Sequence, residues 1–241
     1  GVSALRRSGW WLAVAWTLVV LLSLAWGWQQ NRHTTLELAI SAARLSFEKD
    51  IAYRRWAAQN GGLYVPVTEK TPPNPHLRDV PERDLTTPSG RKLTLINPAY
   101  MTRQVAELGR EQYGLQGHLT SLKPLRPENV PDPWESDALR AFEAGGKESI
   151  EQMDLEGHPY LRLMKPFVTE DGCLKCHAAQ GYRVGDIRGG LSVSVPMTPY
   201  LERLASDQST LALRHALVWF FGLLGLWRLT ARMMVARRTY E

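Results

Sequence analysis

The 241-residue chain carries 29 Lys/Arg against 24 Asp/Glu, a formal net charge of +5, with 44% hydrophobic residues and two cysteines. Residues 29–213 hold 22 Lys/Arg and 23 Asp/Glu, so the basic surplus comes from the flanks of two apolar runs, at Arg6 and Arg7 and at Arg228, Arg232, Arg237 and Arg238. With no basic patch and interleaved aromatics, a nucleic-acid partner is not expected, and the length allows one ordinary domain plus accessory segments.

The first apolar run, Gly9 to Trp28, is twenty residues without a charge or a proline, long enough to span a bilayer core. Trp10 and Trp11 stand at one end and Trp26 and Trp28 at the other, as interfacial anchors do. No small-residue cleavage site follows, so a membrane anchor is expected rather than a removed signal peptide. The second run, Leu211 to Val235, is interrupted by Arg214, His215, Arg228 and Arg232, which can snorkel to the two faces of a bilayer. The positive-inside rule places both Arg-rich ends in the cytoplasm. The expected layout is a cytoplasmic N-terminus (1–8), a transmembrane helix (9–28), a periplasmic domain (29–210), a second transmembrane helix (211–231) and a cytoplasmic tail (232–241), in a bacterial inner membrane.

Between the spans, Leu36, Ile40, Ala43, Phe47 and Ile51 keep a helical period, so the first helix continues to about Asn60 and ends at Gly61-Gly62. Residues 62–67 read as a strand. Residues 66–88 hold six prolines and read as a long extended loop, able to wrap a ligand or simply exposed. A strand follows at 91–96. Asn97-Pro98 marks the start of a helix that runs to Tyr113 and stops at Gly114. Further expectations are a strand at 118–122, a turn-rich link at 124–133, a helix at 134–143 and a hairpin of 148–154 with 158–168 around Glu156-Gly157. A last strand is expected at 189–195 and a helix from Thr198 into the second span.

Ahead of that last strand stands Cys173-Leu174-Lys175-Cys176-His177, the C-x-x-C-H pattern of covalent haem attachment. Two thiols one helical turn apart can add to the two vinyl groups of one haem, and the adjacent imidazole can ligate the iron. The expected cofactor is one covalent haem c on Cys173 and Cys176, with His177 as axial ligand. A disulfide or redox pair is the rival reading, although a redox couple has no use for His177. A zinc site would lack a fourth ligand, since no other cysteine exists. Attachment of haem c occurs outside the bacterial inner membrane, in agreement with the topology.

The opposite side of the iron sets the chemistry: a strong ligand suits electron transfer, and an open or water-bound site admits diatomic gases. Met101, in the first turn of the helix that starts at Pro98, is the first candidate, followed by His118, His158, Met164 and His76. The propionates need cationic partners, and Arg54, Arg55 and Arg103 are candidates. Tyr100 and Tyr64 could pack on the macrocycle or serve as core aromatics. No paired carboxylates or nucleophile–base motif is present, so an enzyme is not expected.

Strands separated by short helices, with a ligand site before the last strand, suit an α+β, PAS-like antiparallel-sheet haem domain flanked by two transmembrane helices. The stretches Arg54-Arg55-Trp56, Gly61 to Val65, Leu95 to Gln104, Met164-Lys165-Pro166, Cys173 to Ala178, Gly181-Tyr182 and Gly185 to Gly189 together resemble a bacterial family of membrane-anchored, c-type-haem, PAS-like sensor domains. The resemblance covers most of residues 30–200. It implies an extracytoplasmic input module, often joined through a second membrane helix to a histidine kinase, diguanylate cyclase or chemotaxis-type output, and working as a homodimer. The chain ends shortly after the second run and begins with Gly1, so it is expected to be either a fragment of a longer receptor or a stand-alone subunit. The expected function is a haem-based redox or gas sensor signalling across the membrane. The alternative is an electron-transfer cytochrome subunit of a larger membrane redox complex.

Overall fold

The structure is a computed structural model that describes residues 2–171, 174 and 180–240. In chain order these form α1 (Val2–Gln59), β1 (Leu63–Pro66), β2 (Asp84–Thr86), β3 (Lys92–Ile96), α2 (Pro98–Tyr113), β4 (Gln116–Thr120), α3 (Pro133–Glu143), β5 (Ser149–Leu155), β6 (His158–Val168), β7 (Ile187–Pro196) and α4 (Thr198–Tyr240), with 3-10 turns at Pro75–Leu77 and Pro127–Asn129. They make two compact units, Gly1–Leu38 with Pro199–Glu241, and Ala39–Thr198.

In the first unit, α1 and α4 each contain a stretch long and apolar enough to cross a membrane. Their side chains meet in antiparallel order: Thr230 lies by Gly9, Gly222 by Trp16 and Leu211 by Gly27. A Cβ on Gly222 would collide with the Trp16 indole, so that glycine permits the approach of the two helices. Polar groups along the seam find partners within it. Trp219 Nε1 donates to Thr17 Oγ1 at 3.0 Å, and the Thr17 hydroxyl donates to the Ala13 carbonyl at 2.8 Å. His215 Nδ1 donates to the Leu211 carbonyl at 2.9 Å, and its Nε2 pairs with Ser23 Oγ at 3.1 Å. Such internal pairing is what a hydrocarbon surround demands.

The second unit is α+β with two antiparallel sheets, ordered β1-β3-β2 and β4-β7-β6-β5. The larger sheet buries both faces. On one, Leu161 and Leu163 of β6 and Leu191, Val193 and Val195 of β7 are buried. Phe47 of α1 meets Lys165, and Ala106 of α2 meets Gly117, on that side. Across the pleat lie Arg162 and Met164 of β6 and Ser192 and Ser194 of β7, also buried. There α3 packs, with Ala138, Leu139 and Phe142 against Met164.

Local chemistry explains the boundaries. Asn97 caps α2 by accepting from the Tyr100 amide at 2.9 Å, and Gly114 closes that helix with φ +69°. The strand therefore begins directly at Gln116, two residues earlier than the alternation at 118–122 suggests. The β5–β6 turn puts Glu156 and Gly157 both at positive φ, the geometry of a tight two-residue hairpin. The proline-rich stretch is more ordered than a plain loop. It holds a 3-10 turn and β2, an edge strand fixed by the Thr94 hydroxyl donating to Asp84 at 2.7 Å. The prolines flank β2 rather than occupy it, which is why composition hid it.

Candidate functional site

Cys173, Cys176 and His177 lie outside the described residues. In sequence they fall between β6 and β7, the central strands of the larger sheet. The neck of this connection is closed by the Thr169 amide donating to the Asp186 carbonyl at 2.8 Å and the Gly185 amide donating to the Thr169 carbonyl at 3.0 Å. Beside that neck the Thr169 hydroxyl is buried with no partner among the described residues. A buried orphan hydroxyl is rare enough to mark a place where another group belongs.

Two of the candidate cofactor residues, Arg54 and Arg55, stand near this neck. Phe167, close to the end of β6, carries the Arg54 guanidinium over its ring at 4.5 Å. Arg54 Nη1 also donates to the Pro98 carbonyl at 3.4 Å and to Thr102 Oγ1 at 3.2 Å. One arginine of α1 thus touches the first turn of α2, which carries Met101, and the strand that leads into the motif. Arg55 is exposed and stands 3.7 Å from Glu170. Arg103 stacks on Tyr100 at 4.4 Å and approaches Glu107 at 3.6 Å. Tyr100 is 3% exposed and donates its hydroxyl to the Pro72 carbonyl at 2.9 Å. Gln104 bonds Lys70 and Thr71, so α2 pins the proline-rich loop. Burial raises the Tyr100 pKa, keeping its hydroxyl a donor. Cations, two aromatic rings and a half-buried thioether are a donor set that fits an anionic, largely apolar macrocycle with a metal at its centre.

The other candidates for the iron are placed elsewhere. His158 is exposed at the β5–β6 turn, and His76 is exposed in the 3-10 turn of the proline-rich loop. Met164 is fully buried in the cluster with Leu139 and Phe142, where its thioether fills the core. Tyr64 is partly exposed and donates to the Glu82 carbonyl at 2.6 Å. His118 has both ring nitrogens engaged, Nδ1 with Glu135 at 2.8 Å and Nε2 with the Glu128 carbonyl at 2.9 Å. It has no nitrogen left for a metal.

That histidine belongs to a charged network under α3 that sequence reasoning missed. Glu135, 0% exposed, accepts from Arg162 Nη2 at 2.9 Å, Ser192 Oγ at 2.7 Å, His118 Nδ1 at 2.8 Å and the Asp132 amide at 3.1 Å. Asp132 caps α3 by accepting from the Glu135 amide and also pairs with Arg162 Nη1 at 2.6 Å. Trp134 covers the Arg162 guanidinium at 4.4 Å. The capping box Asp132-Pro133-Trp134-Glu135 is a visible sequence signal. That its glutamate also neutralises a buried strand arginine is not visible, because Arg162 lies far off along the chain. The Glu135 carboxylate bonded to its ring raises the His118 pKa above the ordinary histidine value, against an opposing pull from burial.

Among curated proteins, none matches the chain. Among solved structures, the cyanobacterial heme-protein Tll0287 is similar at 17% sequence identity, covering 65% of this chain and 94% of that one, with a TM-score of 0.42. The family model for Tll0287-like proteins matches residues 30–196, well over half of the chain. The chain therefore belongs to the Tll0287-like family.

Proposed function

We propose that this chain is a membrane-anchored, haem-based redox or gas sensor, with a PAS-like domain carrying one covalent haem c. Cys173 and Cys176 hold the group as thioethers and His177 ligates the iron. The observation that carries the reading is the C-x-x-C-H motif in a segment whose neck adjoins Arg54, Phe167 and the first turn of α2. Membership of the family named for Tll0287, a cyanobacterial heme-protein, supports it. When bound, haem would supply an iron that changes oxidation state or, where no methionine closes it, takes a diatomic ligand. Met101 is the proposed sixth ligand, and Arg54, Arg55 and Arg103 supply positive charge for the propionates. Tyr100 and Arg103 brace that wall by stacking.

In this reading the domain lies in the periplasm of a bacterial inner membrane, anchored by the apolar parts of α1 and α4. It works as a homodimer and passes its signal to a cytoplasmic output, with no catalysis of its own. Arg54 is the first link of that path, since it joins α1 to the α2 turn and to β6. The test is the visible absorption spectrum of the purified protein, oxidised, reduced and reduced under carbon monoxide. Haem bands that survive denaturation in the wild type and vanish in a Cys173→Ser, Cys176→Ser variant are the expected result. A far-red band from methionine–iron bonding, with no response to carbon monoxide, is expected if Met101 ligates. A colourless protein defeats the proposal and leaves the two cysteines as a disulfide or redox pair.

A further inference from the structure

We propose that His118 is a proton-operated latch that, as an imidazolium, holds the turn at residues 127–129 against β4 and α3, and on losing a proton frees that turn from the edge of a cavity. The hydrogen bonds carry this inference. The Glu135 carboxylate and the Glu128 carbonyl can only accept, and they stand 2.8 and 2.9 Å from the two ring nitrogens. Both bonds form at once only when both nitrogens carry protons. The geometry is that of the cation.

The surrounding charges agree. Facing the ring are Glu135 of α3 and its cap Asp132, Arg162 of β6 across Glu135, Ser192 of β7 and the backbone of Glu128. Farther out, the Glu128 carboxylate pairs with Arg126 at 3.4 Å and is influenced by His76. In the inner cluster, imidazolium and guanidinium balance two carboxylates. Removing the proton leaves one buried negative charge in excess. It also forces a choice. The enclosed Glu135 carboxylate is the stronger acceptor and keeps the remaining ring proton on Nδ1. Nε2 then turns a lone pair toward the Glu128 carbonyl at 2.9 Å, where attraction becomes repulsion.

The turn is poorly placed to resist. Pro127–Asn129 buries none of its residues. Its other described ties to the sheet are the Thr120 hydroxyl and the Ser121 amide, both donating to the Asn129 carbonyl, at 2.9 and 3.4 Å. Next to it, Val130, His118 and Leu155 with Gln116 and Ser194 line a cavity of about 220 Å³ over the network. The cavity gives solvent protons a route to the ring, and movement of the turn would widen it. This inference does not rest on haem binding.

Hydrogen–deuterium exchange on the full chain in lipid nanodiscs tests it, read at peptides covering 126–131. The Asn129 and Val130 amides, bonded to Arg126 and Pro127, are the reporters. With intrinsic exchange divided out, opening is expected to rise roughly tenfold from mildly acidic to mildly alkaline pH, the worth of one lost charge-assisted bond. His118→Gln should abolish that step, Glu135→Gln should move it to lower pH, and His76→Gln should leave it in place. Nitrogen-15 spectra of the histidine rings give a second measurement that needs no variant: two ring N–H groups on the acid side and one, on Nδ1, on the alkaline side. A step that survives in His118→Gln overturns the latch, as does a ring that titrates while the turn stays equally protected, or one that is neutral throughout.

Discussion

Glu135→Gln removes the negative charge at the centre of the α3 network while keeping the side chain's size. Its carboxylate takes four hydrogen bonds, from Arg162, Ser192, His118 and the Asp132 amide. An amide offers one oxygen and presents an NH₂ to groups that are themselves donors. Arg162, with a side chain 6% exposed, keeps only Asp132 as a charged partner. Breaking one side of a buried pair costs about 3–5 kcal/mol, and the surviving Asp132 contact argues for about 3 kcal/mol here. At roughly 2–4 °C per kcal/mol for a domain of this size, the melting temperature should fall by about 6–12 °C. Thermal and urea unfolding followed by near-ultraviolet circular dichroism on the full chain would measure it. A combined Glu135→Leu, Arg162→Met variant should recover most of the loss, because well-packed apolar pairs replace buried ion pairs at little cost. The exposed Arg44–Glu148 bridge is the control, since its removal should cost no more than about 1 kcal/mol. A Glu135→Gln protein as stable as that control, or a combined variant no better than the singles, would refute the assignment of this network as the charged core of the domain.

Gly189→Ala should destabilise by about 2 kcal/mol or more, because the added Cβ meets the Thr120 carbonyl between β4 and β7, and backbone cannot step aside as a side chain can; a urea midpoint measures it. Tyr100→Phe should cost about 1 kcal/mol and raise proteolytic cutting in 66–88, since it frees the Pro72 carbonyl. Stability should also depend on pH through His118. Its pKa is raised in the folded state by Glu135, so its contribution is full below the unfolded value and fades as pH rises through the folded one. Glu148, held low by Arg44, acts in the opposite sense and loses its contribution as the solution becomes acidic. Unfolding curves across pH should show the alkaline loss in the wild type and not in His118→Gln.

The helices and the larger sheet were legible because each had a local cause. Asn97-Pro98 and Gly114 bracket α2, and Glu156-Gly157 turns the β5–β6 hairpin, all from backbone chemistry written in adjacent residues. β2 escaped notice because its pairing depends on Leu93 and Thr94, outside the proline-rich stretch. The buried network escaped for the same reason on a larger scale. Arg162 sits among Leu161, Leu163 and Met164, and alternation alone marks it as either a solvated position or a buried charge. Only the fold brings Asp132 and Glu135 to it. His118 stood among the secondary candidates for the iron because histidine is a common metal ligand, and its two acceptors come from residues ten and seventeen positions away.

Arg54 allows a structural role and a cofactor role to be separated by one pair of variants. Its guanidinium stacks on Phe167, bonds the Pro98 carbonyl and bonds Thr102, and those contacts need a planar, forked group. Arg54→Lys keeps the charge and loses the fork and most of the stacking, so it should lose about 1–2 kcal/mol of stability, nearly as much as Arg54→Gln. The redox potential responds to charge instead. If Arg54 stands beside a haem propionate as proposed, Arg54→Gln removes a positive charge near the iron and favours the oxidised state. The potential then falls, while Arg54→Lys holds it near the wild-type value. Unfolding curves and a potentiometric titration on the same three proteins give the two readings. Equal potentials in all three would confine Arg54 to tying α1 to α2 and β6, and the propionate partners would have to be sought at Arg55 and Arg103.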